Sequence, residues 1–141
     1  MSTTVSCDGK CLCGVVKIHA TNVQPHVGAC HCGMCRKWSG GPLLAVECGS
    51  QLTIEGKENI TAFSSSDWAE RGFCKHCGTH IFYHLKGTED YIIPAGFFDQ
   101  PTHFKFNHQI FIDKKPDYYT FANETENMTE AEVYAKYMPA E

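Results

Sequence analysis

The feature that most constrains this chain is the grouping of its cysteines into short clusters. The 141 residues include nine cysteines, and seven of these fall in Cys11-Leu-Cys13-Gly14, Cys30-His-Cys32-Gly-Met-Cys35 and Cys74-Lys-His-Cys77-Gly78. A Cys-x-Cys pair in extended chain presents both side chains on one face. A Cys-x-x-Cys-Gly turn directs two sulfurs towards one centre, with the glycine permitting a positive φ. The clustering and the odd number therefore favour metal ligation over a disulfide framework.

The first and third clusters together supply a complete set of ligands for a structural zinc ion. Each contributes two thiolates and is followed by glycine, and structural zinc is bound tetrahedrally by four ligands. We therefore expect one structural zinc on Cys11, Cys13, Cys74 and Cys77. The alternative is that these are reduced cysteines packed in the core, a common environment for this residue.

The middle cluster offers three thiolates, Cys30, Cys32 and Cys35, and no evident fourth ligand. Catalytic zinc characteristically has three protein ligands and an open position for water or substrate. Three thiolates leave the centre at a charge of −1, which disfavours anions as substrates but suits the binding of a further thiol as a nucleophilic thiolate. A redox-active dithiol and a metal-free remnant of such a site are the alternatives.

Short segments of alternating polarity predict a mostly β fold. Most are bounded by Gly, Pro, Asn or Asp, which is typical of strands joined by turns. These segments are Val16–Ile18, Leu43–Cys48, Leu52–Ile54, His80–Leu85, Tyr91–Pro94, His103–Phe106 and His108–Ile112. Only the end of the chain, Thr129 to Tyr137, has a helical pattern, in which Thr129 and Glu132 form a capping box. No boundary divides the chain, so we expect one domain over residues 1–141.

Charge and hydropathy exclude several classes of protein. The net charge is −4 and the pI is about 6.0, without the basic face that a nucleic-acid-binding protein needs. The N-terminal residues have no apolar core of a signal peptide, and no run of about 18 apolar residues is present to span a membrane. These features predict a cytoplasmic protein without nucleic-acid or membrane partners; they do not predict its oligomeric state.

The order of the motifs resembles that of the glutathione-dependent formaldehyde-activating enzyme family, which includes centromere protein V. The resemblance extends from about Gly9 to Phe97. It is carried by Gly9-x-Cys-x-Cys-Gly-x-Val16, Cys30-His-Cys-x-x-Cys-Arg-Lys-x-Ser-Gly40, Ser64-Ser-Ser66 and Arg71-x-Phe-Cys-x-x-Cys-Gly78.

The resemblance implies a specific fold, cofactor and reaction. The fold would be one of coiled antiparallel β-sheets around a structural zinc, similar to the Rab-exchange zinc chaperones, with here a short C-terminal helix. A second, catalytic zinc would be bound by Cys30, Cys32 and Cys35. The activity would be that of a carbon–sulfur lyase acting in reverse, condensing glutathione with formaldehyde to S-(hydroxymethyl)glutathione.

The surroundings of the open cluster suggest how substrate binds. Glutathione carries two carboxylates and arginine binds carboxylates in bidentate fashion, so Arg36 and Arg71 are candidate glutathione-binding residues; solvated surface charges are the alternative. Family members often carry a Trp after a Lys-x-Pro late in the chain, whereas here Lys115-Pro116 precedes Asp117-Tyr118-Tyr119. This departure predicts an altered substrate pocket.

Several other residues have expected roles. His31, between two ligands, should point away from the metal. His80 is a candidate proton shuttle in a strand, because the pKa of histidine suits neutral pH, and a helical metal face of His76, His80 and His84 is disfavoured. Cys48 should lie in the core, and Cys7 in a mobile, accessible N-terminal segment. No role is evident for Asp99.

Three functions are consistent with these patterns. In the first, a zinc-bound thiolate of glutathione or a similar thiol adds to formaldehyde or another small aldehyde. In the second, the same module carries glutathione or binds a protein partner without catalysis. The third is a structural zinc scaffold with a redox-active middle cluster.

Overall fold

The computed structural model describes residues 3–137, which form strands and short helices in two compact units. In chain order the strands are β1 (Val5–Lys10), β2 (Lys17–Val23), β3 (His26–Cys30), β4 (Leu43–Gly49), β5 (Leu52–Glu55), β6 (Ile60–Ser64), β7 (Ala69–Cys74), β8 (His80–Leu85), β9 (Tyr91–Pro94), β10 (Lys105–Ile110) and β11 (Glu126–Met128). The α-helices are α1 (Gly33–Ser39) and α2 (Glu130–Tyr137). The prediction of a mostly β protein with a short C-terminal helix is confirmed.

The first unit, which comprises the chain up to Pro25 and Ala45–Phe104, is built from antiparallel strands. One sheet has the order β1-β2-β5, and a second run of pairs joins β6, β7, β8, β9 and β4. Ile18, Ile81 and Ile93 are almost completely buried here, because alternate side chains of each strand face the core. Burial of each isoleucine contributes about 1.5–3 kcal/mol to the free energy of unfolding.

The second unit, His26–Leu44 and the chain from Lys105 onward, contains a parallel arrangement. β10 lies between β3 and β11 and runs parallel to both, with Ile110 opposite Cys30. The ring of His108 packs directly on Gly28 of β3, where an added Cβ would lie 2.2 Å from its Nε2 and would displace the ring. The pairing of β3 with β10 places the first cysteine of the middle cluster at the end of a fixed strand.

Helix α1 was not predicted from the sequence, and its two ends explain why it forms. Cys32 is the N-cap, and its Sγ accepts a hydrogen bond of 3.3 Å from the backbone N–H of Cys35. Gly40 ends the helix with a φ of 80° and donates its N–H to the carbonyl of Arg36 at 2.8 Å. A sulfur cap is not among the usual capping side chains, so the sequence offered only the glycine as a signal.

Helix α2 has the predicted capping box. The helix begins at Glu130, one residue later than expected. The N–H of Glu132 donates to Oγ1 of Thr129 at 3.2 Å, and the N–H of Thr129 donates to Oε1 of Glu132 at 2.9 Å. Asp113 accepts a third hydrogen bond, from the N–H of Glu130. Val133 is the buried residue of this helix.

Two expectations about individual segments need correction. Cys7 does not lie in a mobile segment: it is a residue of β1, opposite Ala20 of β2, and it is completely buried. The two predicted segments His103–Phe106 and His108–Ile112 share one strand, β10 (Lys105–Ile110), whereas His103 belongs to the preceding 3₁₀ turn and Ile112 to the following one. Within residues 3–137, no helix has the length and apolar character needed to cross a membrane.

Candidate metal centres

Two turns of the first unit bring together four cysteine side chains. Cys11 and Cys13 lie between β1 and β2, whereas Cys74 and Cys77 lie at the end of β7 and in the turn before β8. The four Sγ atoms lie within 4.8 Å of one another. The Sγ atom of Cys13 is 3.7 Å from that of Cys11 and 3.7 Å from that of Cys74. The predicted pairing of the first and third clusters therefore matches the geometry of the fold.

The spacing of these sulfurs suits zinc. A tetrahedral Zn–S distance of about 2.3 Å places the sulfurs about 3.8 Å apart, in agreement with the observed 3.7 Å. Polar groups also stabilise the thiolate form. The N–H of Val16 donates to Sγ of Cys11 at 3.4 Å. The hydroxyl and the N–H of Thr79 lower the pKa of Cys77 to about 5.

The middle cluster is built in the second unit from a strand end and a helix start. Cys30 is the last residue of β3, Cys32 is the N-cap of α1, and Cys35 is the buried residue of that helix. Their three Sγ atoms lie within 4.8 Å of one another. Hydrogen bonds with Cys32 and Cys35, together with burial, raise the pKa of Cys30. A cation is therefore needed if all three thiols are to be ionised together.

The three-sulfur arrangement fits a metal with an open coordination position. Within the described chain, the group of metal-ligating side chains at this site comprises only the three cysteines. Zinc bound by three protein ligands retains a position for a further ligand.

His31 lies between two of these cysteines, and its side chain is directed into the unit. It is 0% exposed. Its Nδ1 lies 2.7 Å from the hydroxyl of Tyr119, and its Nε2 lies 2.8 Å from Oε1 of Gln109. The rings of His31 and Tyr119 are stacked with centroids 5.5 Å apart. As expected, His31 is not part of the sulfur cluster; burial lowers its pKa and favours the neutral imidazole.

The two candidate glutathione-binding arginines lie in different units. Arg36 is on α1, next to Cys35, and is half-buried; its Nε donates to the carbonyl of His31 at 2.9 Å. Arg71 is on β7 and is buried, and its Nε donates to Oγ of Ser65 at 3.1 Å. Its guanidinium also lies over the ring of Tyr83, 5.0 Å from the centroid. Arg36 thus belongs to the same helix as the open cluster.

The remaining candidates of the sequence fall in the first unit. His80 is the first residue of β8, so the strand assignment is confirmed over the helical one. Burial, and then the charge of Arg71, lower the pKa of His80. Cys48 lies in the core, as predicted, and burial together with the nearby Cys7 raises its pKa to about 12. Asp99 is exposed, and its N–H donates to the carbonyl of Asp8.

Two residues of the open cluster's surroundings were missed by sequence reasoning. Tyr119 and Gln109 are the hydrogen-bond partners of the two ring nitrogens of His31. The departure from the family pattern at Asp117-Tyr118-Tyr119 pointed to this region without identifying the contact. Gln109 carries no sequence signal, because a buried glutamine within an alternating strand is indistinguishable from a surface one until its partners are known.

Comparison with known proteins supports a single family. Residues 6–114 match the family described as glutathione-dependent formaldehyde-activating enzyme. A Schizosaccharomyces pombe protein named as an uncharacterized lyase is 38% identical over 127 residues, which cover 89% of this chain and 93% of that protein. A crystal structure of a Rhodobacter sphaeroides protein is similar with a TM-score of 0.55 at 26% identity, covering 65% of this chain and 87% of that one.

Proposed function

The chain belongs to the glutathione-dependent formaldehyde-activating enzyme family, and we propose that it condenses glutathione, or a similar thiol, with formaldehyde or another small aldehyde. The family and the lyase name of the yeast relative support a lyase-type function. The observation that carries the proposal is the convergence of Cys30, Cys32 and Cys35 without a fourth protein ligand in the described chain. This arrangement leaves room for a substrate sulfur.

The reaction is an addition whose atoms balance without an oxidant. The sulfur of the thiol bonds to the carbonyl carbon, the C=O π bond breaks, and the proton lost from sulfur is replaced by one on oxygen. A zinc ion held by the three cysteines would act as a Lewis acid that lowers the pKa of a bound thiol. Because Cys30 and Cys32 flank a residue fixed by hydrogen bonds, and Cys35 is on a capped helix, the chain itself sets the sulfur geometry.

Arg36 is the group that we assign to the glutathione carboxylate. Within the described residues its guanidinium makes one hydrogen bond, from Nε to the carbonyl of His31. The two terminal amino groups present the paired donors that bind a carboxylate in bidentate fashion. Since its Nε is hydrogen-bonded to the carbonyl of His31, between Cys30 and Cys32, a thiol peptide whose sulfur is at the cluster would place a carboxylate near this guanidinium. Arg71, a buried residue of the other unit, remains a second candidate.

Native mass spectrometry of protein purified under reducing conditions tests the site. We expect two zinc ions per chain, and a glutathione adduct when the thiol is in excess. Cys32→Ala should bind one zinc and form no adduct. Cys48→Ala is the matched control, because Cys48 is a buried cysteine outside both clusters, and should retain both metals and the adduct. One zinc and no adduct in the parent would contradict the proposal.

Turnover must then be separated from passive carriage, because thiols and formaldehyde also combine unaided. The rate of exchange between free glutathione, formaldehyde and their adduct should rise in proportion to protein concentration, and Cys32→Ala should abolish this acceleration. An adduct without acceleration would favour the alternative, a non-catalytic module that carries glutathione or binds a protein partner.

A further inference from the structure

We propose that Tyr119 is a positioning residue of the open cluster. It acts through His31, the residue between Cys30 and Cys32, to fix the angle at which strand β3 meets helix α1. The inference rests on the proposed function, since it concerns how the chain prepares its three sulfurs for the metal. Tyr119 lies beyond residue 114, where the match to the family ends, so it is a property of this chain that the family match does not assign.

His31 is the single residue that connects strand β3 to the N-cap of helix α1. β3 ends at Cys30, whose position is fixed by pairing with Ile110 of β10. The helix begins after its N-cap, Cys32. Only His31 lies between them, so its backbone and side chain set the angle at which the strand meets the helix. Its N–H donates to the carbonyl of Ile110 at 3.2 Å, and its carbonyl accepts from Nε of Arg36 at 2.9 Å.

Both ring nitrogens of His31 have hydrogen-bond partners. Nε2 of Gln109 donates to Oγ1 of Thr125 at 2.9 Å, and that hydroxyl donates in turn to Oδ1 of Asn127 at 2.6 Å. Gln109 therefore presents its oxygen to His31 and accepts from Nε2–H at 2.8 Å. The other ring nitrogen, Nδ1, lies 2.7 Å from the hydroxyl of Tyr119, so each nitrogen of this buried ring has one side-chain partner.

Tyr119 is itself held in place by Lys115. Nζ of Lys115 donates to the carbonyl of Tyr119 at 2.6 Å and to the carbonyl of Pro116 at 3.1 Å. The same ammonium lies 5.4 Å from the centroid of the Tyr119 ring. The Lys115 ammonium thus holds the backbone from Pro116 to Tyr119, and this backbone places the tyrosine hydroxyl beside His31.

Loss of the Tyr119 hydroxyl should lower the metal affinity of the three-cysteine site and have little effect on the stability of the fold. A ring nitrogen of the buried His31 that loses its hydrogen-bond partner costs free energy. His31 can relieve that cost by turning, which changes the separation of Cys30 and Cys32. Removing a group that orients metal ligands typically lowers metal affinity by about 10–100-fold. The four-cysteine site belongs to the first unit, whereas His31, Gln109 and Tyr119 belong to the second, so we expect it to keep its affinity.

Chelator competition on the full-length, two-metal protein tests the proposal. Tyr119→Phe removes the hydroxyl and keeps the stacked ring; we expect the weaker metal to bind about tenfold less tightly, and the stronger one unchanged. Tyr118→Phe is the matched control, since Tyr118 is 75% exposed, and should behave as the parent. Gln109→Leu, which removes the partner of the other ring nitrogen, should weaken the same metal.

Cobalt substitution supplies a spectroscopic measurement independent of activity. In Tyr119→Phe we expect changed d–d bands for the three-cysteine site, with the four-cysteine site in the same chain as an internal reference. Equal affinities in Tyr119→Phe and Tyr118→Phe would overturn the inference while leaving the proposed function intact, and so would equal weakening of both metals. A parent that binds only one metal would overturn both.

Discussion

At the scale of single residues, one side-chain type occupies two environments in this protein. Seven cysteines belong to the two sulfur clusters, whereas Cys7 and Cys48 are buried in the core of the first unit. The clustered thiols lie beside hydrogen-bond donors or other sulfurs. Cys48 belongs to neither cluster, and burial together with the neighbouring Cys7 raises its pKa to about 12. The surroundings of each cysteine therefore decide whether it is a candidate metal ligand or a packed core residue.

The raised pKa of Cys48 predicts a loss of stability at alkaline pH. In the unfolded chain this thiol titrates near 9.0, whereas in the folded chain it titrates near 12. Its contribution is fully present below pH 9 and is lost as the pH rises towards 12, because only the unfolded state releases the proton in that interval. At pH 10 the loss is about 1 kcal/mol.

Chemical denaturation of the parent and Cys48→Ala at pH 8 and pH 10 measures this contribution. The variant should lose less free energy of unfolding between the two pH values, whatever its stability at pH 8. The two proteins differ only at residue 48, so the effects of pH on the rest of the chain cancel in the comparison. Identical losses would show that Cys48 titrates as an ordinary thiol.

Arg36 should affect thiol binding rather than the chemical step. Arg36→Gln removes the bidentate donor assigned to the substrate carboxylate, together with the bond to the carbonyl of His31. In variant protein that native mass spectrometry shows to hold both metals, it should raise KM for glutathione about tenfold with little change in kcat. Lys37→Gln removes the same charge from the adjacent, exposed position and should leave KM within about twofold, as expected for a screened surface charge. Steady-state kinetics decides; equal effects of the two substitutions would indicate only a general electrostatic contribution.

At the scale of elements, helix α1 depends on a glycine at its end. Gly40 has a φ of 80°, and a Cβ added there would meet no atom within 4 Å. The cost of Gly40→Ala is therefore a backbone cost alone, about 1 kcal/mol in the free energy of unfolding. Gly41→Ala is the control, because its surroundings are equally open and its φ lies outside the left-handed region. Thermal denaturation should show a lower Tm for Gly40→Ala alone.

The elements also show what a sequence can and cannot predict. β8 and β9 have the predicted bounds, and helix α2 starts within one residue of its capping box, because their signals are local. Helix α1 was missed because its cap is a sulfur. β1 was missed because its burial depends on pairing with β2, a non-local contact that the residue types around Cys7 do not encode.

The candidate site divides in the same way. The predicted ligand sets rest on the local geometry of Cys-x-Cys and Cys-x-x-Cys, and in the structure the sulfurs of each set lie within 4.8 Å of one another. The hydrogen bonds of His31 to Tyr119 and Gln109 cross 88 and 78 positions of the chain. Such contacts depend on how β10 and the segment after it pack, which no local pattern contains.

At the scale of the whole molecule, the two clusters should differ in what their metals do. The four-cysteine set connects the β1–β2 turn to the β7–β8 turn, two parts of the first unit that are far apart in sequence. A metal there closes a long loop, so its binding free energy becomes folding free energy. The three-cysteine set connects a strand to the helix that follows it, residues already close in sequence.

Metal removal should therefore have two separable stages. On titration with a chelator, the three-cysteine site should release its metal first, because it has one ligand fewer, with little change in far-UV circular dichroism. Release from the four-cysteine site should follow together with loss of β structure. Cys74→Ser should accordingly lower Tm far more than Cys32→Ser, since each removes one sulfur but only Cys74 belongs to the long-range connection. Native mass spectrometry and circular dichroism on the same samples decide, and equal losses of Tm in the two variants would assign both metals the same structural role.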